Sequence, residues 1–237
     1  MSLSVQGIDA YYGKSRILND ISLQVDGAEV VALMGRNGVG KTTTLRTIIG
    51  IVSPKKGTLR WRNRDITGAK PYQIARLGIG YVPEERNIFP RLSVHENLLM
   101  GRRAMKGRTE TAPYWDLDRI HGVFPVLKAR RDQMGIVLSG GEQQMLTIAR
   151  TLMGNPGMLL VDEPTEGLSP LMRKNVAEIL KEINQHRIAI LLVEQNMQVA
   201  LFLAQRGYLM SKGCIVYSGT THEIRENEEV RRKYLEV

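Results

Sequence analysis

A chain of 237 residues with 43 % hydrophobic and 24 % charged residues has the size and balance of one α/β domain, with room for an inserted subdomain around a continuous core. Three Phe and two Trp make that core mostly aliphatic, a single cysteine excludes an internal disulfide, and a formal net charge of +9 asks for an anionic partner: nucleic acid, nucleotide or membrane surface. No apolar run approaches the roughly 20 residues of a bilayer span, and the opening MSLSVQGIDAYYG lacks the basic flank and apolar centre of a secretion signal, so the chain is expected in the cytoplasm.

The first third reads as strands. Ile21, Leu23 and Val25 alternate with polar residues, and EVVALM is a short apolar run ending at a glycine. A helix is predicted at once after it, over about 41–49, then short strands at 57–61 and 79–82 separated by a helix at 71–77 whose proline sits in the first turn. From 85 to about 138 the apolar spacing becomes helical, in VHENLLMGRRAM and YWDLDRIHGVFPVL, and no strand is predicted. A helix from about Gly141, the strand MLLV, a helix carrying Val176, Ile179, Leu180 and Ile183, and the strand IAILLV follow. Strands apolar on both faces alternating with helices predict a parallel sheet covered by helices, closed by short strands at 208–210 and 214–217 and a charged helical tail.

Three stretches carry chemistry. GRNGVGKT, from Gly35 to Thr42, fits the phosphate loop G-x-x-x-x-G-K-[ST] and lies between a buried strand and a helix start. Its glycines let backbone N–H groups converge on phosphate oxygens, Lys41 reaches the β and γ phosphates, and the Thr42 hydroxyl can ligate Mg²⁺. Asp162 and Glu163 follow MLLV. Alone such a pair is an ordinary polar turn; beside a phosphate loop Asp162 is expected to hold Mg²⁺ and Glu163 to position or deprotonate the attacking water. In LSGGEQQ, Ser139 and Glu142 match a capping box, while Gly140 and Gly141 open the same helix start to a phosphate supplied from elsewhere.

GRNGVGKT, LSGGEQQ and VDEP, in that order and with a helical stretch between the first two, resemble the ATP-binding cassette (ABC) ATPases over nearly the whole chain. The resemblance implies one P-loop cassette over residues 1–237. Its mostly parallel core would comprise 1–84 and 145–237 with an N-terminal antiparallel β region, and its helical subdomain about 85–144. It implies ATP and Mg²⁺ as cofactors and a nucleotide site of Gly35, Asn37, Gly38, Val39, Gly40, Lys41, Thr42 and Thr43, with Tyr12 stacked on adenine. It further implies that two cassettes pair head to tail, so that Ser139, Gly140, Gly141 and Glu142 of one complete the phosphate site of the other.

Three positions depart from the family pattern: Glu84 in YVPEER where most cassettes carry glutamine, Ser169 in EGLSP in place of aspartate, and Gln195 in VEQN in place of the switch histidine. Glu84, when ionised, is tolerable near phosphate chiefly through Mg²⁺ or water, and Gln195 can donate an amide hydrogen bond to a γ phosphate without changing charge with pH. With VPE, IFPRLSV, SGGEQQM, IAR, LVEQN and the tail VRRKYLEV, the chain is similar to the smaller ATPase of importers for branched-chain amino acids, or for urea and amides. That implies a second ATPase subunit, with a heterodimer favoured over a homodimer, two membrane permeases and a separate solute-binding protein. The chain would lie peripherally on the inner face of the membrane. An ATPase for lipid or polysaccharide export shares all the ATP chemistry. A nucleic-acid or ribosome-associated ATPase is disfavoured, because no recognisable nucleic-acid module accompanies the basic clusters at 60–64, 102–108 and 128–131.

Overall fold

Period-two alternation at the start of the chain gives two long strands, β1 (Leu3–Tyr12) and β2 (Ser15–Val25), paired antiparallel across a turn in which Gly13 takes φ +59°. These are the first elements of a computed structural model that describes residues 3–102 and 115–234. Next come β3 (Val30–Met34), α1 (Lys41–Ile48), β4 (Lys56–Trp61), the two-residue β5 (Arg64–Asp65), α2 (Pro71–Arg76) and β6 (Ile79–Val82). The helical stretch holds α3 (Val94–Gly101), α4 (Leu117–Val123), α5 (Pro125–Ala129) and a single 3₁₀ turn, Gly135–Val137. The chain then runs through α6 (Gly140–Leu152), β7 (Met158–Asp162), α7 (Pro170–Gln185), β8 (Ala189–Val193), α8 (Met197–Leu203), β9 (Arg206–Ser211), β10 (Cys214–Thr220), α9 (Thr221–Glu226) and α10 (Glu228–Tyr234).

The strands form two sheets. β2-β1-β4-β5 is antiparallel; β10-β9-β3-β8-β7-β6 is parallel except for its edge strand β10. Because β3, β7 and β8 are buried on both faces, successive residues feed two different cores. Val31, Leu33, Leu160 and Leu191 pack toward the antiparallel sheet and α1, whereas Ala32, Met34, Val161 and Leu192 pack toward the helices that include α6, α7 and α8. The large sheet is thus the middle layer, and its strands β3, β8, β7 and β6 run parallel, so their carboxyl ends share one edge.

Two details differ from the sequence expectation. Where one helical run was expected over 114–127, the described residues 117–129 hold two helices, because Phe124 leaves helical geometry (φ −122°, ψ 68°) ahead of Pro125, whose ring disfavours the α region in the residue before it. The helix expected over 94–105 is observed to Gly101; residues 103–114, with most of the basic cluster 102–108, lie outside the described residues. A lone antiparallel bridge between Ser93 and Met134 ties the two ends of the helical stretch together. Among the described residues no helix is long and apolar enough to cross a membrane.

Candidate nucleotide site

The loop between β3 and α1 is held by backbone approaches that only glycine permits. Gly35 has φ +151°, and a β-carbon there would stand 2.4 Å from the Met210 carbonyl oxygen; Gly40 has φ +108° and crowds Leu18. Gly40 is also the N-cap of α1 and offers no side-chain acceptor to the helix, so the first N–H groups of α1 face the loop's concavity. Val39 anchors the loop instead, its side chain against the β-side core and its carbonyl accepting from Gly213 N–H at 3.0 Å.

Of the predicted residues, Tyr12, Asn37, Gly38, Gly40, Lys41, Thr42, Thr43, Glu84 and Glu163 line a single cavity of about 380 Å³; Ile17 and Glu166, which the sequence did not single out, complete its wall. Tyr12 is 47 % exposed, so its ring offers a face for stacking at the cavity mouth. Lys41 is buried, donating to the carbonyls of Gly35 (2.9 Å) and Arg36 (3.1 Å) and pairing with Glu163 Oε1 at 3.1 Å. Gln195 lines a second cavity of about 290 Å³ that shares Glu163 and Glu166 with the first.

Asp162 ends β7 and is fully buried. Its carboxylate accepts from Thr42 Oγ1 at 3.0 Å and from Tyr81 OH at 3.1 Å. Burial pushes its pKa up to about 6, against those two hydrogen bonds. Burial, with the Asp162 charge behind it, also pushes the Tyr81 phenol up. Glu163 sits at φ +40°, a left-handed conformation that turns it out of the strand, with its N–H donating to Val193 O at 2.9 Å. A hydrogen bond with Glu163, aided by burial, pushes Glu166 up to about 7. Glu194, just beyond β8, accepts from Thr165 Oγ1 and from Gln195 N–H, and burial pushes it up as well. Tyr81, Glu166 and Glu194 are therefore candidate site residues beyond those the sequence singled out. For Mg²⁺ the hydroxyl of Thr42 beside a carboxylate oxygen of Asp162 is a fitting hard-oxygen pair, with phosphate oxygens and water left to complete an octahedron.

Ser139 and Glu142 form the capping box of α6: Ser139 N–H donates to Glu142 Oε2 at 2.8 Å and Glu142 N–H to Ser139 Oγ at 3.4 Å. Arg130 adds a 2.5 Å bond to Glu142 Oε1, and despite burial these bonds hold Glu142 below its ordinary range. Glu142 is therefore turned inward, and Ser139, Gly140 and Gly141 are left at the helix mouth. None of them lines the cavity of Lys41. Ser169 has a local role: it N-caps α7, accepting from Met172 N–H at 3.4 Å.

A glycine loop joining a buried parallel strand to a helix, with Lys41 and Thr42 at its end and two carboxylates beyond a strand of the same sheet, defines a P-loop nucleoside triphosphatase. Within that class, residues 18–166 match the ABC transporter family. The chain belongs to that family and is an ABC-type ATPase, hydrolysing ATP. It is 40 % identical to the high-affinity branched-chain amino acid transport ATP-binding protein BraG of Pseudomonas aeruginosa, over 98 % of this chain and 99 % of that protein. It is 34 % identical to the lipopolysaccharide export system ATP-binding protein LptB of Escherichia coli, over 99 % and 97 % respectively. Its fold superposes on a nucleotide-free ATP-binding cassette from an ABC transporter with a TM-score of 0.82 at 24 % identity, covering 97 % of this chain and 96 % of the other.

Proposed function

We propose that this chain is the ATP-hydrolysing subunit of an importer for branched-chain amino acids or a related small polar solute. The observation that carries the reading is the 40 % identity to BraG along essentially the full length of both chains, against 34 % to the lipopolysaccharide exporter ATPase. Export of lipid or polysaccharide is the second reading, favoured by that exporter match, and it would use the same site.

The 3.1 Å pair between Lys41 and Glu163 suggests how binding prepares the chemistry. Phosphate oxygens compete for the Lys41 ammonium, and as they win it Glu163 loses its counter-ion and is free to accept a proton. Tyr12 holds the base, and the backbone of Gly35 to Thr43 holds the phosphates. Thr42 and Asp162, with Glu84 acting through water, would hold Mg²⁺, which would supply charge neutralisation to the phosphates there. Glu163 orients a water and takes its proton while the oxygen attacks the γ phosphorus and the bond to ADP breaks. The Gln195 amide donates to the γ phosphate. Ser139, Gly140 and Gly141 serve the nucleotide of a second cassette, so the working unit is a pair, with a companion ATPase favoured over a second copy. Two membrane permeases, a solute-binding protein acting through them and a peripheral position on the inner face of the membrane complete the assembly, with no nucleic acid involved.

Purifying the chain with its membrane partners, identifying them and reconstituting the assembly in vesicles tests this. ATP-dependent uptake of labelled leucine, isoleucine or valine, or of a small amide, is the expected result. Recovery of a lipid-extracting permease in their place would transfer the chain to the export reading.

A further inference from the structure

Arg86 lies in the segment that leaves the nucleotide cavity at Glu84 and reaches the mouth of α6. The segment is tied to α6 on two successive turns: Thr147 Oγ1 donates to Arg86 O at 2.5 Å and Arg150 Nη2 to Asn87 O at 2.7 Å. Arg86 holds a left-handed backbone, φ +62°. Its side chain lines neither the cavity of Lys41 nor that of Gln195. The guanidinium lies instead across the start of α6, with Nη1 2.8 Å from where a β-carbon on Gly140 would stand and Nη2 4.0 Å from the same point on Gly167. It has no carboxylate partner among the described residues. A partly exposed arginine is thus held over the glycines of a helix mouth, where the orphan N–H groups of the first turn already favour an anion.

We propose that Arg86 contacts the γ phosphate of the nucleotide bound by the second cassette, adding a charged fork to the backbone donors of Ser139, Gly140 and Gly141. This rests on the reading that two cassettes pair with α6 of one facing the phosphate loop of the other. The wall of the receiving site contains Glu84, Glu163 and Glu166 with one lysine, so a polyphosphate there gains from a cation brought in from outside. Planar, bidentate arginine suits that task better than lysine.

The full-length chain carrying Glu163→Gln, chosen because it should slow hydrolysis severely, provides the test. ATP-dependent association with a second copy, or with the companion ATPase purified from its transporter, is followed by sedimentation and compared with the same chain carrying Arg86→Met or Arg86→Lys. Methionine keeps an apolar stem over Gly140 without the charge. Arg86→Met should weaken association at least about tenfold and Arg86→Lys by less, as expected for loss of a charge-assisted bond. ATP affinity of the separate chain should move less than about twofold, since the contact lies across the pair. Association unchanged by Arg86→Met overturns the proposal alone, and so does an equal loss of ATP affinity in the separate chain, which would place Arg86 in its own site. No ATP-dependent association even with Arg86 intact overturns the two-cassette reading and this inference with it.

Discussion

Lys41 and Glu163 are each almost fully buried and neutralise one another, so changing either exposes the other to a low-dielectric site. Glu163→Gln removes the proton acceptor but keeps the shape, and hydrolysis should fall about a hundredfold or more while ATP still binds; turnover near the native rate would remove Glu163 from its role. Lys41→Ala should weaken ATP binding at least about tenfold in a nucleotide titration, and native affinity would contradict the phosphate-loop assignment. Asp162 supplies a pH signature. Its folded pKa is raised to about 6 from an ordinary 3.8, so the folded chain binds the proton more tightly than the unfolded chain. The resulting stabilisation is full below about pH 4 and is lost as pH rises through 6, by about 3 kcal/mol in all and roughly 1 kcal/mol between pH 5 and pH 7. Urea unfolding without nucleotide at pH 5 and pH 7 should show that decline, and Asp162→Asn should remove much of it. An undiminished slope in the variant would mean that other groups, such as Glu194 or Glu166, carry it.

At the scale of elements, α3 and α6 meet at Gly101, where an added β-carbon would stand 2.0 Å from the carbonyl oxygen of Arg150. Backbone cannot yield as a side-chain tip can. Gly101→Ala should therefore force the helices apart and cost about 1–3 kcal/mol, read as a lower urea midpoint; an unchanged midpoint would show that the crossing is loose. The strands that form this scaffold were legible in sequence because VVALM, MLLV and IAILLV are short runs apolar on successive residues, as strands covered on both faces are. The start of α6 was legible from Ser139 and Glu142. The two-residue β5 was not, being too short for any period, and the break at Phe124 was hidden because helical spacing continues across it. In the site, motif spacing found the loop and both carboxylates. Tyr81 escaped because its bond to Asp162 spans 81 residues and depends on β6 lying beside β7. Glu166 did carry a signal, as a further carboxylate soon after Asp162 and Glu163, but its hydrogen bond with Glu163 depends on how the intervening turn folds back.

Over the whole molecule, the two halves of the proposed composite site do not meet within one chain: the cavity of Lys41 contains no residue of 139–142. Hydrolysis per chain should accordingly rise with protein concentration until pairing saturates, and a flat dependence from dilute to concentrated solution would mean that a single chain suffices. Exposed Ile136, Val137 and Leu171, near the starts of α6 and α7, provide apolar surface for such pairing. The parallel sheet has a further consequence. Val82 pairs with Val161, Asp162 with Val193 and Leu33 with Val193, so the segments bearing Glu84, Asp162, Glu194 and the glycine loop leave side by side from strands about 4.8 Å apart. The ladder is a ruler for the chemistry. A slip of one residue in β7 or β8 would turn Asp162 or Glu194 into an oily layer, which leaves the ATP edge little room to drift.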